Sequence, residues 1–422
     1  MDQKTSKELL TFLDSSPTCF HAVAQMAEIL HSHGFTRLRE NEKWELSPGE
    51  SCFVTRNDSA LIAFTIPKTG IRSFRIIASH SDSPGFKIKE NPEITSADHY
   101  IQLNTERYGG MIHSSWLDRP LSVAGRVIFK EDSRLVSRLI NIDRDLLMIP
   151  NLSIHMNREI NSGYKYDPQK ELLPLYGDIN AKGSFMKLIA QAAQIEEEQI
   201  LGHDLFLYNR QKGCIWGASD EYISSGRLDD LQCAFASLQG FLQGRKESQA
   251  AVHCVFDNEE VGSGTKQGAA STFLKDVLSR ICECLSMTRE EQLIAIAESF
   301  MISADNAHAV HPSHMEKADP VNRPYVNEGI VIKYNADQKY CTDGVSAAFF
   351  KDLCAEADVP LQTFTNRSDM SGGSTLGNIS SAQVALNTID IGLPQLSMHS
   401  AYETAGIKDT AYLIRAAAAF FA

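Results

Sequence analysis

Two adjacent glutamates, Glu259 and Glu260, follow an apolar run from Ala251 to Phe256, and Gly262 and Gly264 come directly after them. The run predicts a short buried strand that ends in a polar turn. Strand ends in open α/β sheets are where ligands bind. Two carboxylates there can divide one reaction. One holds a metal, and its neighbour acts as a base toward a water that the metal acidifies. A solvated acidic turn would also account for the pair, so the rest of the chain has to decide. Four further residues of metal-binding type stand at predicted strand ends or helix starts: His80, Asp229, Asp305 and His399. Each has an ordinary structural use. Asp229 could cap the helix it opens, Asp305 could cap a turn, and a lone histidine after a strand is often just a hydrogen-bonded one. Taken together with Glu260 they make the histidine and carboxylate set expected of catalytic zinc. Five ligands exceed the three that one catalytic zinc uses, and with a shared carboxylate they suit two metals about 3.5–4 Å apart. In His80-Ser81-Asp82 the aspartate can accept the proton of the ring nitrogen that does not bind metal.

The elements that must position these residues follow from periodicity. Helices are predicted over Thr5 to Asp14 and Phe20 to His33, and strands at Ser51–Val54, Ala60–Thr65 and Ser73–Ala78. From about Lys87 to about Ala218 the pattern changes to strand-like stretches divided by Gly, Pro and Asn turns. Examples are Tyr100–Leu103, Leu121–Phe129 and Leu152–Met156, with one helix between Gly183 and Gln194. Helix and strand then alternate again: a helix opened by Arg227-Leu228-Asp229-Asp230, the Ala251 strand, a helix from about Ala269, and a strand at Phe300–Ala304. A strand at Val331–Lys333, a helix from Asp343 to Ala357, strands at Val384–Leu386 and Asp390–Ile391, and a last helix complete the series. The expected organisation is a catalytic α/β domain in two segments, 1–86 and 219–422, interrupted by an inserted β-rich domain over 87–218.

Composition excludes several classes of function. A chain of 422 residues is too long for a single compact core. Its formal net charge of -13 argues against nucleic acid and anionic membrane surfaces as partners. No apolar run reaches the roughly 18 residues of a membrane span. Met1 to Leu13 has no signal-peptide core, and the nine cysteines are scattered without a CxxC, so a cytoplasmic protein with reduced thiols is expected. Gly262-Ser263-Gly264 lacks the spacing of a dinucleotide fingerprint. Ser371-Gly372-Gly373-Ser374-Thr375 lacks the lysine of a P-loop, and the absence of a G-x-S-x-G elbow argues against a serine hydrolase.

Five stretches, in this order, resemble the aspartyl aminopeptidases: Ser79 to Phe86, Arg227-Leu228-Asp229, Asp257 to Ser263, Asp305 to Pro312, and Met398-His399-Ser400. The similarity extends over nearly the whole chain, including Ser16-Pro17 to Val23 and Ile149 to Met156. It implies a doubly wound zinc-peptidase domain with an inserted β-rich dimerisation or lid domain. It implies two zinc ions, with manganese or cobalt as substitutes. His80 and Asp305 would hold one ion, Glu260 and His399 the other, and Asp229 would bridge them. Glu259 would be the general base, and Asp82 would orient His80. Lys333 would contact an acidic substrate side chain, and His155 would reach into a neighbouring subunit's site. Peptides with a free, acidic N-terminus would be the substrates, and a dodecamer built from dimers would be the assembly. The chain departs from the family at Asp230, where Asn is usual, at Tyr402, where Arg is usual, and at Gly372, where many relatives have Cys. Two other readings remain open: a broad-specificity two-metal aminopeptidase or related amidohydrolase, and a catalytically silent assembly or cargo protein on a peptidase scaffold.

Overall fold

The computed structural model describes residues 2–244 and 249–422. Contacts divide the chain into two compact units. The first comprises Met1–Asp82, Gly213–Met398 and Glu403–Ala422, and the second Ser83–Lys212 and His399–Tyr402. The changeovers at 82/83 and 212/213 fall four and six residues before the expected 86/87 and 218/219.

The first unit is built on a nine-stranded mixed sheet. Strand Ala250–Phe256 pairs antiparallel with Ala60–Thr65 and parallel with Phe74–His80. Phe74–His80 pairs parallel with Phe300–Ala304, which pairs parallel with Asn387–Gly392. Ile330–Tyr334 and Leu361–Thr365 continue the sheet on that side. Every residue of Ala250–Phe256 is buried, because helices cover both faces. Ala251 and Val255 join the core on one face with helices Cys19–Ser32, Leu228–Gln243 and Asp409–Phe420. Val252, Cys254 and Phe256 join the opposite core with Phe273–Cys284. Strands covered on both faces read as continuous apolar runs, which is why this one stood out in the sequence. A fully buried phenylalanine such as Phe256 contributes on the order of 3 kcal/mol.

Parallel pairing has a direct consequence for chemistry. Phe74–His80, Ala250–Phe256 and Phe300–Ala304 run the same way, so their C-terminal ends share one edge. His80, the turn at Asp257 to Glu260, and Asp305 all stand at that edge. Gly392 lets the chain approach there, since a Cβ on it would collide with the Asp305 carbonyl. Gly240 plays the same part between helices, facing the Ala417 side chain with no room for a Cβ.

The second unit is a six-stranded antiparallel sheet, with Leu121–Glu131 and Gly202–Asn209 near its centre. Helix Phe185–Ala193 packs Phe185 and Ile189 into its core. Among the described residues no helix is long and apolar enough to cross a membrane.

Three local expectations differ from the structure. Leu152–Met156 is a turn, although its alternating apolar residues have the period of a strand. Leu152, Ile154 and Met156 are 51%, 48% and 77% exposed, and only Ile149 is buried. Pro150 lacks an amide donor, Asn151 is tied by both its amide groups to the Asp118 carboxylate, and Met156 N turns back to Ser153 O. The strand expected at Val384–Leu386 begins at Asn387, because Val384 N still closes a helical turn onto Ser380 O. The helix expected from Ala269 begins at Phe273, after a turn in which Ser271 N bonds Gly268 O.

Candidate metal centre

His80 ends its strand and is 1% exposed. Its Nε2 lies 3.4 Å from Asp229 Oδ1 and 4.0 Å from Asp305 Oδ1. Its Nδ1 lies 3.1 Å from the Asp82 carbonyl and 3.4 Å from Asp82 Oδ1. A proton on Nδ1 is therefore held by Asp82, and Nε2 is turned toward the two other aspartates. Asp82 also accepts the backbone amides of Glu259 and Glu260, each at 3.1 Å. One carboxylate thus ties two neighbouring strand ends together. The turn that follows is tight: Asn258 has φ 61°, and Glu259–Val261 form one 3₁₀ turn.

Asp229 and Asp230 depart from helical geometry at the start of Leu228–Gln243, and the peptide between them is cis. Both are buried. Asp230 Oδ2 accepts the His80 amide at 3.2 Å, while its Oδ1 accepts no hydrogen bond among the described residues. Lys333, 3% exposed, brings Nζ to 3.7 Å from Asp305 Oδ2 and lies over the Tyr340 ring at 5.5 Å.

The electrostatics are those of a carboxylate cluster short of cations. Burial first, and then the charges of Asp305, Asp82 and Asp229, push Glu259 up to about 8, with His80 pulling the other way. Burial also raises Asp230 well above its ordinary value and raises Asp305, the latter against the pull of Lys333. Burial opposes charge on His80, yet Asp229, Asp82 and Asp230 together push its pKa well up. Burial opposes charge on Lys333 as well, but Asp305, Tyr340, Asp390 and Asp229 hold it above the usual lysine value. Buried carboxylates without enough positive charge are costly unless a cation joins them.

The donor atoms fit such a cation. Ligand atoms of His80, Asp229 and Glu260 lie within 4.8 Å of one another, and so do those of Asp229, Asp230 and Asp305. Asp229 belongs to both groups. This grouping places Glu260 beside His80, whereas the expected allocation pairs it with His399. It also brings in Asp230, which sequence reasoning treated only as a departure from the family pattern. The adjacent acidic residues Asp229-Asp230 were the available signal.

His399 and His155 belong to the second unit. His399 has φ 66°, and its Nδ1 lies 2.8 Å from Gly110 O, so a proton on Nδ1 leaves the lone pair on Nε2. His155 is exposed in the turn that follows Ser153.

Residues 12–421 match the family model described as aminopeptidase I zinc metalloprotease (M18). The chain is 48% identical over 424 residues to a probable M18 family aminopeptidase 2 of Clostridium acetobutylicum, covering 99% of this chain and 98% of that protein. Its fold superposes with a TM-score of 0.96 on a chain of the cryo-EM structure of the Ape4 and Nbr1 complex, at 38% identity, over 100% of this chain and 86% of the other. It also resembles the S. cerevisiae mApe1 dodecamer structure, with a TM-score of 0.87 at 27% identity, over 98% of this chain and 95% of that one.

Proposed function

This chain belongs to the aminopeptidase I zinc metalloprotease (M18) family and is a metallo-aminopeptidase, and we propose that it removes N-terminal Asp or Glu from peptides at a two-zinc site. The observation carrying the two-metal reading is the sharing of Asp229 between two donor groups. The proposed ligands are His80, Asp229, Glu260, Asp305 and His399, with Asp230 beside them. Zinc held there would supply a Lewis acid for the scissile carbonyl and would lower the pKa of water to about 7.

The chain's own residues do the rest. Glu259, beside the ligands but outside both donor groups, takes a proton from the attacking water and passes it to the leaving amine. Asp82 holds the Nδ1 proton of His80 and, through the amides of Glu259 and Glu260, keeps base and ligand in register with the histidine. Lys333 supplies the local cation that an acidic preference requires in a chain of net charge -13. We place the protein in the cytoplasm, as a dodecamer built from dimers in which the inserted domain makes the dimer contact and His155 serves a partner's site.

The test is a panel of N-terminal aminoacyl peptides, free and acetylated, assayed with zinc, manganese and cobalt, alongside zinc stoichiometry. Two zinc ions per chain, and hydrolysis of free but not acetylated Asp and Glu peptides, are expected. Cleavage of acetylated peptides would sink the aminopeptidase mechanism. Faster cleavage of Leu than of Asp would remove the acidic preference.

A further inference from the structure

We infer that Glu403 is a positioning residue for Asp229, working with Asn306 through a buried polar chain that clamps the peptide bond before Asp229 and thereby sets zinc affinity. The inference rests on the proposed role of Asp229 as a shared ligand.

The peptide between Leu228 and Asp229 is held at both ends. Its N–H, on Asp229, donates to Glu403 Oε2 at 3.0 Å. Its C=O, on Leu228, accepts from Asn306 Nδ2 at 3.1 Å. The two clamps are joined, since Asn306 Nδ2 also donates to Gln395 Oε1 at 2.8 Å, and Gln395 Nε2 donates to Glu403 Oε1 at 3.4 Å. Asn306 is braced from the helix side by Gln232 Oε1 at 3.1 Å and by the Cys233 thiol, which donates to its Oδ1 at 3.1 Å. Gln232 is in turn anchored on Thr410 Oγ1 at 2.9 Å.

Glu403, Gln395, Asn306, Gln232 and Thr410 are each 2% exposed or less. Such a polar cluster is costly in an interior unless its members are bonded, and an apolar core of the same volume would serve stability as well. The placement of the cluster explains its presence. Asp229 and Asp230 leave helical geometry, so the Asp229 amide needs an acceptor from outside the helix. Glu403 provides it, one peptide away from the shared ligand. Asn306 directly follows Asp305, so the same polar chain couples the helix start that carries Asp229 to the strand end that carries Asp305. A clamp of this kind orients ligands and raises their affinity for a cation, and removing it costs about 10–100-fold in metal binding.

The experiment measures zinc affinity by chelator competition and records the absorption spectrum of the cobalt-substituted protein for the unmodified chain, Glu403→Gln and Gln395→Met. Glu403→Gln keeps the volume but replaces one of the two accepting oxygens with a donor. It should bind zinc at least about tenfold more weakly and shift the cobalt spectrum. Gln395→Met breaks the link between the clamps while leaving the Asp229 amide its acceptor, and should give a smaller change in the same two readouts. A role in packing alone would lower the melting temperature of the metal-free protein without moving the cobalt spectrum. Zinc affinity and cobalt spectrum unchanged in a folded Glu403→Gln would overturn the inference. If that variant does not fold, the same result in Gln395→Met overturns it. Failure of the unmodified chain to bind zinc would instead sink the proposed function, so the two failures are distinguishable.

Discussion

Glu259 and Glu260 are neighbours in sequence with different surroundings. Glu260 falls in a donor group with His80 and Asp229, and Glu259 falls in neither group. That separation supports the proposed division of roles, Glu260 as ligand and Glu259 as base. Glu259→Gln should keep zinc and fold while kcat falls roughly 10²-fold or more. Metal analysis and kcat on the same preparation check this, and activity within a few-fold of the unmodified enzyme would remove Glu259 from the role. Lys333 raises a sharper question, because its ammonium already faces Asp305 Oδ2 at 3.7 Å. If it also receives the substrate's acidic side chain, Lys333→Ala should lower kcat/KM for N-terminal Asp and Glu far more than for Leu. Equal losses on both would leave Lys333 only as the partner of Asp305.

At the scale of elements, the site rests on the parallel strands that bring His80, the Glu259 turn and Asp305 to one edge, and on helices that pack beneath them. Helix Cys19–Ser32 contributes Val23, Met26 and Leu30 to that packing. It also carries His21, whose Nδ1 lies 2.8 Å from Thr18 Oγ1. Burial, with the charge of Arg227 second, lowers the His21 pKa from 6.5 to about 4. The folded protein therefore keeps it neutral, while the unfolded chain protonates it below about 6.5. Between those values the unfolded state binds the extra proton, so stability falls as pH drops from about 6.5 to about 4. The whole interval is worth about 3 kcal/mol. Urea midpoints across this range should fall less steeply for His21→Gln than for the unmodified protein. An unchanged slope would show that other groups carry the acid sensitivity.

At the scale of the molecule, the exposed apolar residues Leu152, Ile154 and Met156 surround His155 in a turn. Three large exposed side chains in five residues suit an interface better than solvent, which supports a dimer contact there. If His155 acts in a partner's site, His155→Ala and Glu259→Gln chains should each be nearly inactive. Co-assembled, some mixed dimers pair an intact Glu259 site with an intact His155, and activity should partly return. Verified hybrids as inactive as their parents would confine His155 to its own chain or remove it from catalysis.

Much of this was legible in the sequence because local forces wrote it there. A strand covered on both faces is apolar along most of its length, so Ala250–Phe256 showed itself despite His253, and the polar residues at its end marked the site. Period alone misled at Leu152–Met156, because alternation records which residues are apolar and not whether a neighbouring strand exists to receive them. Pro150 and the Asn151–Asp118 bonds decided that segment. Ligand grouping was likewise beyond the sequence. Residues 80, 260 and 305 reach one edge because three strands run parallel, Asp229 joins them from the start of a helix, and distance along the chain carries no record of that. Asp230 and Glu403 entered the site for the same reason. Their contacts to His80 and Asp229 span 150 and 174 residues, and only tertiary structure closes such distances.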